Sequence, residues 1–284
     1  MKYYFCSLRG KRPTNEDTHI ISKHVKEFEK TNNNNIFCVF DGHGGKEVSE
    51  FLAKHFCYFL KDINLNVNDI KKISKVIKDK FLYINSYLKN LYKKKGFRSG
   101  STACCVFHNT VKNHLWIANI GDSRAVICDK YNRAIQLTVD HKPNDPKEKK
   151  RIENENGKIY HDGYTWRVGT LSLSRSFGDF DSPHIIAKPD VSFLNLNDAS
   201  IIDDNNNFNV TKNKNNIGVN NTNYKFLIIA CDGLWDVIDN QTAINMVNKL
   251  IHDLKKIDYA RYLAMQALKI GSTDNVSVII YFFK

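Results

Sequence analysis

Two stretches of the 284-residue sequence, Ile36-Phe37-Cys38-Val39-Phe40 and Phe226-Leu227-Ile228-Ile229-Ala230-Cys231, are apolar at every position, and each runs straight into Asp-Gly. A strand sends alternate side chains to opposite faces, so a run without a polar position has both faces covered. The chain must therefore bury sheet on both sides, which excludes a single sheet with one face in water. Asp41 and Asp232, each followed by glycine, place a carboxylate at a sheet edge; glycine, lacking Cβ, lets backbone and carbonyl approach whatever the carboxylate binds. One Asp-Gly is ordinarily a turn. Two after fully apolar strands form a pattern.

Around these runs the hydrophobic period switches between two and 3.6. Strand patterns occupy 3–7, 18–24, 102–108, 114–120, 125–129, 134–137, 191–196 and 276–282. Val48, Phe51, Leu52, Phe56, Phe59 and Leu60 recur at helical spacing; Ile70, Ile73, Ile77, Phe81, Ile84, Leu88 and Leu91 continue a second helix that Gly96 closes. A further pair is predicted around Ile244, Val247, Ile251 and then Leu263, Ala264, Ala267, Leu268. Consecutive strands joined by short polar turns favour antiparallel meanders, and blocks of strands kept apart from helix pairs predict an α+β layered sandwich. The Asn-rich stretches 32–35 and 203–223 are expected to be loops, since neither buries enough apolar surface to offset ordering.

Composition narrows the partners. Lys+Arg number 42 against 30 Asp+Glu, a net charge of +12 that invites a polyanionic ligand. The lysines at 71–80, 93–95 and 147–151 nevertheless fall on helix surfaces among Asp, Glu and Asn, and the aromatics fall on apolar faces rather than interleaving with them. No nucleic-acid partner is expected. Seven cysteines, an odd total without C-x-x-C spacing, fit neither a disulfide framework nor a zinc site. No apolar run reaches the length of a membrane span or a signal peptide, and Lys2 stands where myristoylation needs glycine. The expectation is a soluble, intracellular monomer of cytoplasm or nucleus, with no membrane partner.

More acids frame the other strands: Glu16 and Asp17 before 18–24, Asp122 after 114–120, Asp140 after Leu137, Asp274 before 276–282. Carboxylates gathered beside a hydrophobic sheet repel one another unless cations join them. All-oxygen ligation points to Mg²⁺ or Mn²⁺ rather than Zn²⁺. Two such ions, about 3.5–4 Å apart, suit in-line attack of water on phosphorus. Gly121-Asp122 also reads as a tight hairpin turn, and Asp122 is left out of the ligand set on that ground.

In chain order the sequence presents Arg12 with Glu16-Asp17, Asp41-Gly42-His43-Gly44-Gly45, Ser99-Gly100-Ser101-Thr102-Ala103 and Asn119-Ile120-Gly121-Asp122-Ser123-Arg124. Asp140-His141-Lys142-Pro143, Ser174-Arg175-Ser176-Phe177-Gly178-Asp179, Asp232-Gly233-Leu234-Trp235-Asp236 and Asp274-Asn275-Val276-Ser277 follow. In these eight motifs the chain resembles the metal-dependent Ser/Thr protein phosphatases of type 2C, over essentially its whole length. The resemblance implies a four-layer α-β-β-α sandwich: two antiparallel sheets packed face to face, with helix pairs outside. It implies one catalytic domain over 1–284, with 203–223 as an Asn-rich insertion dispensable for catalysis. The implied reaction is hydrolysis of phosphoserine and phosphothreonine in proteins by water activated between two Mn²⁺ or Mg²⁺ ions, with no covalent phosphoenzyme.

The resemblance also implies residue roles. Asp41 bridges the two metals, the Gly42 carbonyl binds one of them, and Asp232 and Asp274 complete the other. Glu16 and Asp17 act mostly through metal-bound water, and Asp140 and Asp236, with Asp232, match a weaker third metal site. Arg12 matches the phosphate-binding arginine and His43 the general acid. The segment 166–171 departs from the family pattern by about one residue in the flap beside the active site, so substrate preference does not carry over. Two alternatives stand beside this reading. A phosphatase-like binding module without turnover would show loss of the acids, yet Asp41, Asp232 and Asp274 are all present. Cys6 to Arg12 fits the C-x₅-R spacing of cysteine-dependent phosphatases, but Phe5 and Pro13 stand where that chemistry needs a histidine and a helix start.

Overall fold

The computed structural model describes residues 2–21, 34–66, 68–198, 200–202, 224–253 and 257–283. In chain order these form β1 (Lys2–Leu8), β2 (Thr18–Ile21), β3 (Asn34–Phe40), β4 (Gly42–His43), α1 (Glu47–Leu60), α2 (Ile70–Lys95), β5 (Gly100–Ser101), β6 (Ala103–Asn109), β7 (His114–Ile120), β8 (Arg124–Asp129) and β9 (Ala134–Gln136). There follow α3 (Pro146–Asn154), β10 (Ile159–His161), β11 (Trp166–Val168), β12 (Phe177–Gly178), β13 (Asp190–Asn195), β14 (Ile201–Ile202), β15 (Tyr224–Ala230), α4 (Asp232–Trp235), α5 (Asn240–His252), α6 (Tyr259–Ile270) and β16 (Val276–Phe282).

The two apolar runs are central strands, as their lack of polar positions requires. One sheet runs β14-β13-β7-β6-β3-β2 and the other β1-β16-β15-β8-β9, with every pairing antiparallel. Alternation along β3 sends Ile36, Cys38 and Phe40 to a core shared with α1 and α2, and Phe37 and Val39 to the core between the sheets. Along β15, Leu227 and Ile229 face that same middle core while Phe226, Ile228 and Ala230 pack against α5 and α6. Three cores thus separate four layers, helix pair, sheet, sheet, helix pair. Cys104 and Cys105 take opposite faces of β6, one in each core.

Helix ends follow their capping residues. Asp69 accepts from the Lys72 N–H at 2.9 Å at the start of α2, and Gly96 ends it at φ 68°, its N–H donating to the Tyr92 carbonyl at 2.8 Å. No helix among the described residues is long and apolar enough to cross a membrane.

Some expectations change. Asn34 and Asn35 are strand, not loop: they continue the β3–β6 ladder opposite Asn109 and His108, since backbone pairing extends past the apolar run. Asn32 and Asn33, His24 at the end of the second predicted strand, and 203–223 lie outside the described residues. Helix α3 was visible only as a lysine cluster; its start is set by Asp145, which accepts from the N–H groups of Lys147 and Glu148, with Pro146 at the first helical position.

The buried face of α3 carries Glu148 into an ionic lattice in which both of its carboxylate oxygens are paired. Arg175 donates to Glu148 Oε1 from Nε at 3.0 Å and from Nη2 at 2.5 Å, while Arg151 at 3.0 Å and the Ser174 hydroxyl at 2.8 Å reach Oε2. Arg175 also bonds Asp190 at 2.9 Å, and His141 approaches Asp190 at 3.3 Å. Burial alone would raise the Glu148 pKa, but the bond to Arg175 and the charges of Arg175 and Arg151 hold it at about 2. This lattice fixes residues 141–190 beside the ends of the central strands.

Candidate metal centre

The ends of both sheets deliver acids to one point. Asp41 follows β3, Asp232 follows β15 as the first residue of α4, and Asp122 sits on the turn from β7 to β8. One carboxylate oxygen from each lies within 4.8 Å of the other two. Asp17, just before β2, meets Asp41 and the Cys231 thiol within the same spacing, and both its carboxylate oxygens are buried without a hydrogen-bond partner among the described residues. Asp274, just before β16, accepts from the Arg12 guanidinium at 2.7 Å and from the Asn275 N–H at 2.7 Å. Glu16 is held by its backbone, its N–H donating to Asn275 Oδ1 at 2.9 Å and its carbonyl accepting from Ser49 at 2.5 Å.

Glycine at 42 is a packing requirement: a Cβ there would stand 2.3 Å from the Glu16 carbonyl oxygen and 2.7 Å from Ser49 Oγ. Any side chain would push the Glu16-Asp17 segment away from Asp41. The backbone of Asp41 is tied to the opposite strand, Thr102 N–H donating to its carbonyl at 2.9 Å and its own N–H reaching Thr102 Oγ1 at 3.2 Å.

Electrostatically the cluster is only partly compensated. Burial, and then the neighbouring charges of Asp17, Asp232, Asp122 and Asp274, push the Asp41 pKa well up. Burial and Asp122 do the same to Asp232, and burial lifts Asp17 to about 6. Lys142 pairs with Asp122, and its pKa rises because the charges of Asp122, Asp232 and Asp236 outweigh burial. Oxygen donors crowded this closely, two of them orphaned and buried, fit hard divalent cations. Cys231 stays a neutral thiol, since burial and the charges of Asp17, Asp41 and Asp232 raise its pKa; it donates to the Asn275 carbonyl at 3.3 Å.

Above the acids opens a cleft of about 430 Å³, lined by Arg12, Glu16, Asp41, Gly42, His43, Asp122, Asp232 and Asp274 on one side and by Arg167 and Thr170 to Leu173 on the other. The segment at 166–171 therefore forms a wall of the cleft. Its Arg167 is tied back to Asp162 and to the Thr170 carbonyl. His43 faces the cleft from β4, with Nε2 2.7 Å from Asp179 Oδ2. Burial would lower the His43 pKa, but this bond and the charge of Asp179 raise it.

The structure thus brings together Arg12, Glu16, Asp17, Asp41, Gly42, His43, Asp232 and Asp274. It does not bring Asp140 into the group: Arg124 grips both of its oxygens, at 3.1 and 2.6 Å, so it serves a structural ion pair. Asp236 lies exposed one turn beyond Asp232, its N–H on the Asp232 carbonyl at 2.8 Å. Asp122 is the residue that sequence reasoning set aside, and it joins Asp41 and Asp232. Cys6 lies in the core beneath α5 and α6, and burial raises its pKa, which removes it as a nucleophile.

The family described as "Protein phosphatase 2C" matches residues 1–203 and 216–276. "Probable protein phosphatase 2C 7" of Oryza sativa subsp. japonica is 34% identical over 281 residues, 98% of this chain and 65% of the relative. "Probable protein phosphatase 2C 76" of Arabidopsis thaliana is 33% identical over 290 residues, 99% of this chain and 58% of the relative. The chain thus spans less than two thirds of the length of these curated relatives. Among solved structures, a serine-threonine phosphatase 2C from Toxoplasma gondii superposes with a TM-score of 0.78 at 20% identity, covering 99% of this chain and 94% of that one. A C. elegans sex determining protein does so with a TM-score of 0.80 at 23% identity, covering 100% of this chain and 65% of that one. These structures establish the sandwich, and the sequence matches on both sides of the Asn-rich stretch establish the kinship: the chain belongs to the protein phosphatase 2C family.

Proposed function

We propose that the chain is a metal-dependent phosphatase that hydrolyses phosphoserine and phosphothreonine in proteins, through direct attack by water and without a phosphoenzyme. The observation that carries this reading is the convergence of Asp41, Asp122 and Asp232, oxygens within 4.8 Å, beside the buried, unpartnered carboxylate of Asp17 and under the guanidinium of Arg12. Asp41, the Gly42 carbonyl, Asp232 and Asp274 would hold two divalent cations, Mn²⁺ or Mg²⁺, with Glu16 and Asp17 acting around them. Asp122 and Asp236, with Asp232, would form a weaker third site in place of the Asp140 set. When bound, the ions supply Lewis acidity toward phosphoryl oxygens and lower the pKa of water. Arg12 offers its remaining N–H groups to the phosphate oxygens while Asp274 orients it. His43 delivers a proton to the departing seryl or threonyl oxygen. We take 1–284 as one catalytic domain with 203–223 as an insertion; the family match breaking off at 203 and resuming at 216 supports this.

The test is hydrolysis of a phosphothreonine peptide with Mn²⁺, with EDTA, and by Asp232→Ala. EDTA should abolish turnover, and Asp232→Ala should lower kcat/KM at least about 100-fold, since losing even an outer-shell metal partner costs 10–100-fold. Full activity in EDTA would end this reading.

A further inference from the structure

Two motifs, Ser99-Gly100 and Ser174 to Asp179, contribute no ligand to the metal centre, yet they meet at His43. Strand β4 pairs His43 with Gly100 of β5, and β12 brings Gly178 against the same Gly100. Between these strands lies the contact of His43 Nε2 with Asp179 Oδ2. A Cβ on Gly100 would stand 2.1 Å from that oxygen and 2.4 Å from that nitrogen, so position 100 has room for the contact and for nothing else. Asp179 is 7% exposed and adopts φ 49°, a left-handed conformation uncommon outside glycine that persists only where the surroundings impose it. Its Oδ2 also accepts from the Ser176 hydroxyl, and its carbonyl accepts from Ser182 N–H at 2.8 Å.

An oxygen that already accepts from one hydroxyl and lies 2.7 Å from a ring nitrogen requires that nitrogen to be the donor. His43 therefore carries its fixed proton on Nε2, and Nδ1 is the atom left to exchange a proton in the cleft. Asp179 itself does not line the cleft.

We propose that Asp179 is a positioning residue that fixes the tautomer and ring of His43 so that Nδ1–H addresses the leaving oxygen. The proposal rests on the phosphatase reading above. Water forms the new P–O bond as the ester P–O bond breaks; the bonding pair stays on the departing oxygen, which takes the Nδ1 proton, and the proton released by the attacking water restores His43. Seryl and threonyl oxygens leave poorly and need that proton, whereas p-nitrophenolate leaves without it.

The experiment compares wild type with Asp179→Asn across phosphothreonine peptide, phenyl phosphate and p-nitrophenyl phosphate at saturating Mn²⁺. We expect kcat to fall at least about 100-fold on the peptide, in the range that general acid catalysis contributes. On p-nitrophenyl phosphate the fall should be only a few-fold, with Mn²⁺ stoichiometry unchanged. His43→Gln should show the same split, and the double variant should be no worse than His43→Gln alone. An equal loss on all three substrates, or none, overturns the proposal. Should Asp179→Asn not fold, Ser176→Ala, which removes the second partner of Asp179, must show the same leaving-group split in weaker form, and a uniform effect there overturns it too. A wild type inactive on every ester with Mn²⁺ would instead defeat the phosphatase reading itself.

Discussion

Two groups of acids lie in one sandwich and obey opposite rules. Around Glu148 every carboxylate oxygen meets a cation or hydroxyl of the chain, and the group holds its charge to about pH 2. Around Asp41 the carboxylates meet mainly each other, and burial and mutual repulsion push their protons on. A buried acid that the fold satisfies is architecture; one that it leaves unsatisfied has a partner that the fold does not supply.

The contrast breaks most visibly by neutralising one acid in each group. Glu148→Gln removes the anion between Arg151 and Arg175 and should destabilise the protein by about 3–5 kcal/mol, as breaking a buried ion pair does. Asp41→Asn in EDTA should leave stability unchanged or raise it, because it relieves repulsion, while turnover is lost. Urea unfolding of both variants decides; losses of similar size would show that the two groups are not different in kind.

Next in size is the response to metal. Mn²⁺ at about 100 times its dissociation constant should stabilise the wild type by about 2.7 kcal/mol, seen as a rise in Tm that Asp41→Asn abolishes. A Tm indifferent to Mn²⁺ would return the cluster to architecture.

The smallest effect is a slope, about 1.4 kcal/mol per pH unit for each proton involved. In EDTA, Asp17, with its pKa raised to about 6, contributes stability that is complete below the unfolded value near 4 and is lost as pH climbs through 6, and Asp41 and Asp232, raised well above the usual carboxylate range by burial and neighbouring charge, act in the same direction. Glu148, lowered to about 2, contributes stability present above an unfolded value of about 4.5 and lost as pH falls toward 2. The metal-free protein should therefore be most stable near pH 4–5 and weaken toward neutrality. Mn²⁺ should remove the neutral-side decline, which Tm against pH would show.

Much of this was legible beforehand because burial writes itself into period. The ten apolar strands and the four longest helices carry that signal, and the Asp-Gly ends of β3 and β15 marked the centre. What escaped lacks period or partner. Two-residue ladders such as β4, β5 and β12 are too short to alternate, and α3 offers one fully buried apolar side chain, Ile152, among charges. Asp122 and Asp140 both follow strands and look alike in sequence; only the reach of Arg124 to one and the nearness of Asp41 and Asp232 to the other separates them. The partner of His43 stands 136 residues away, beyond any local pattern.

Asp17 and Asp41 border strands of one sheet, Asp232 and Asp274 border strands of the other, and Asp122 marks the crossing between them. The centre is accordingly a seam. Cations held there would rivet the two sheets at one edge, so that sliding of either sheet and loss of the ions become the same event. Binding would then report that both halves of the chain have met.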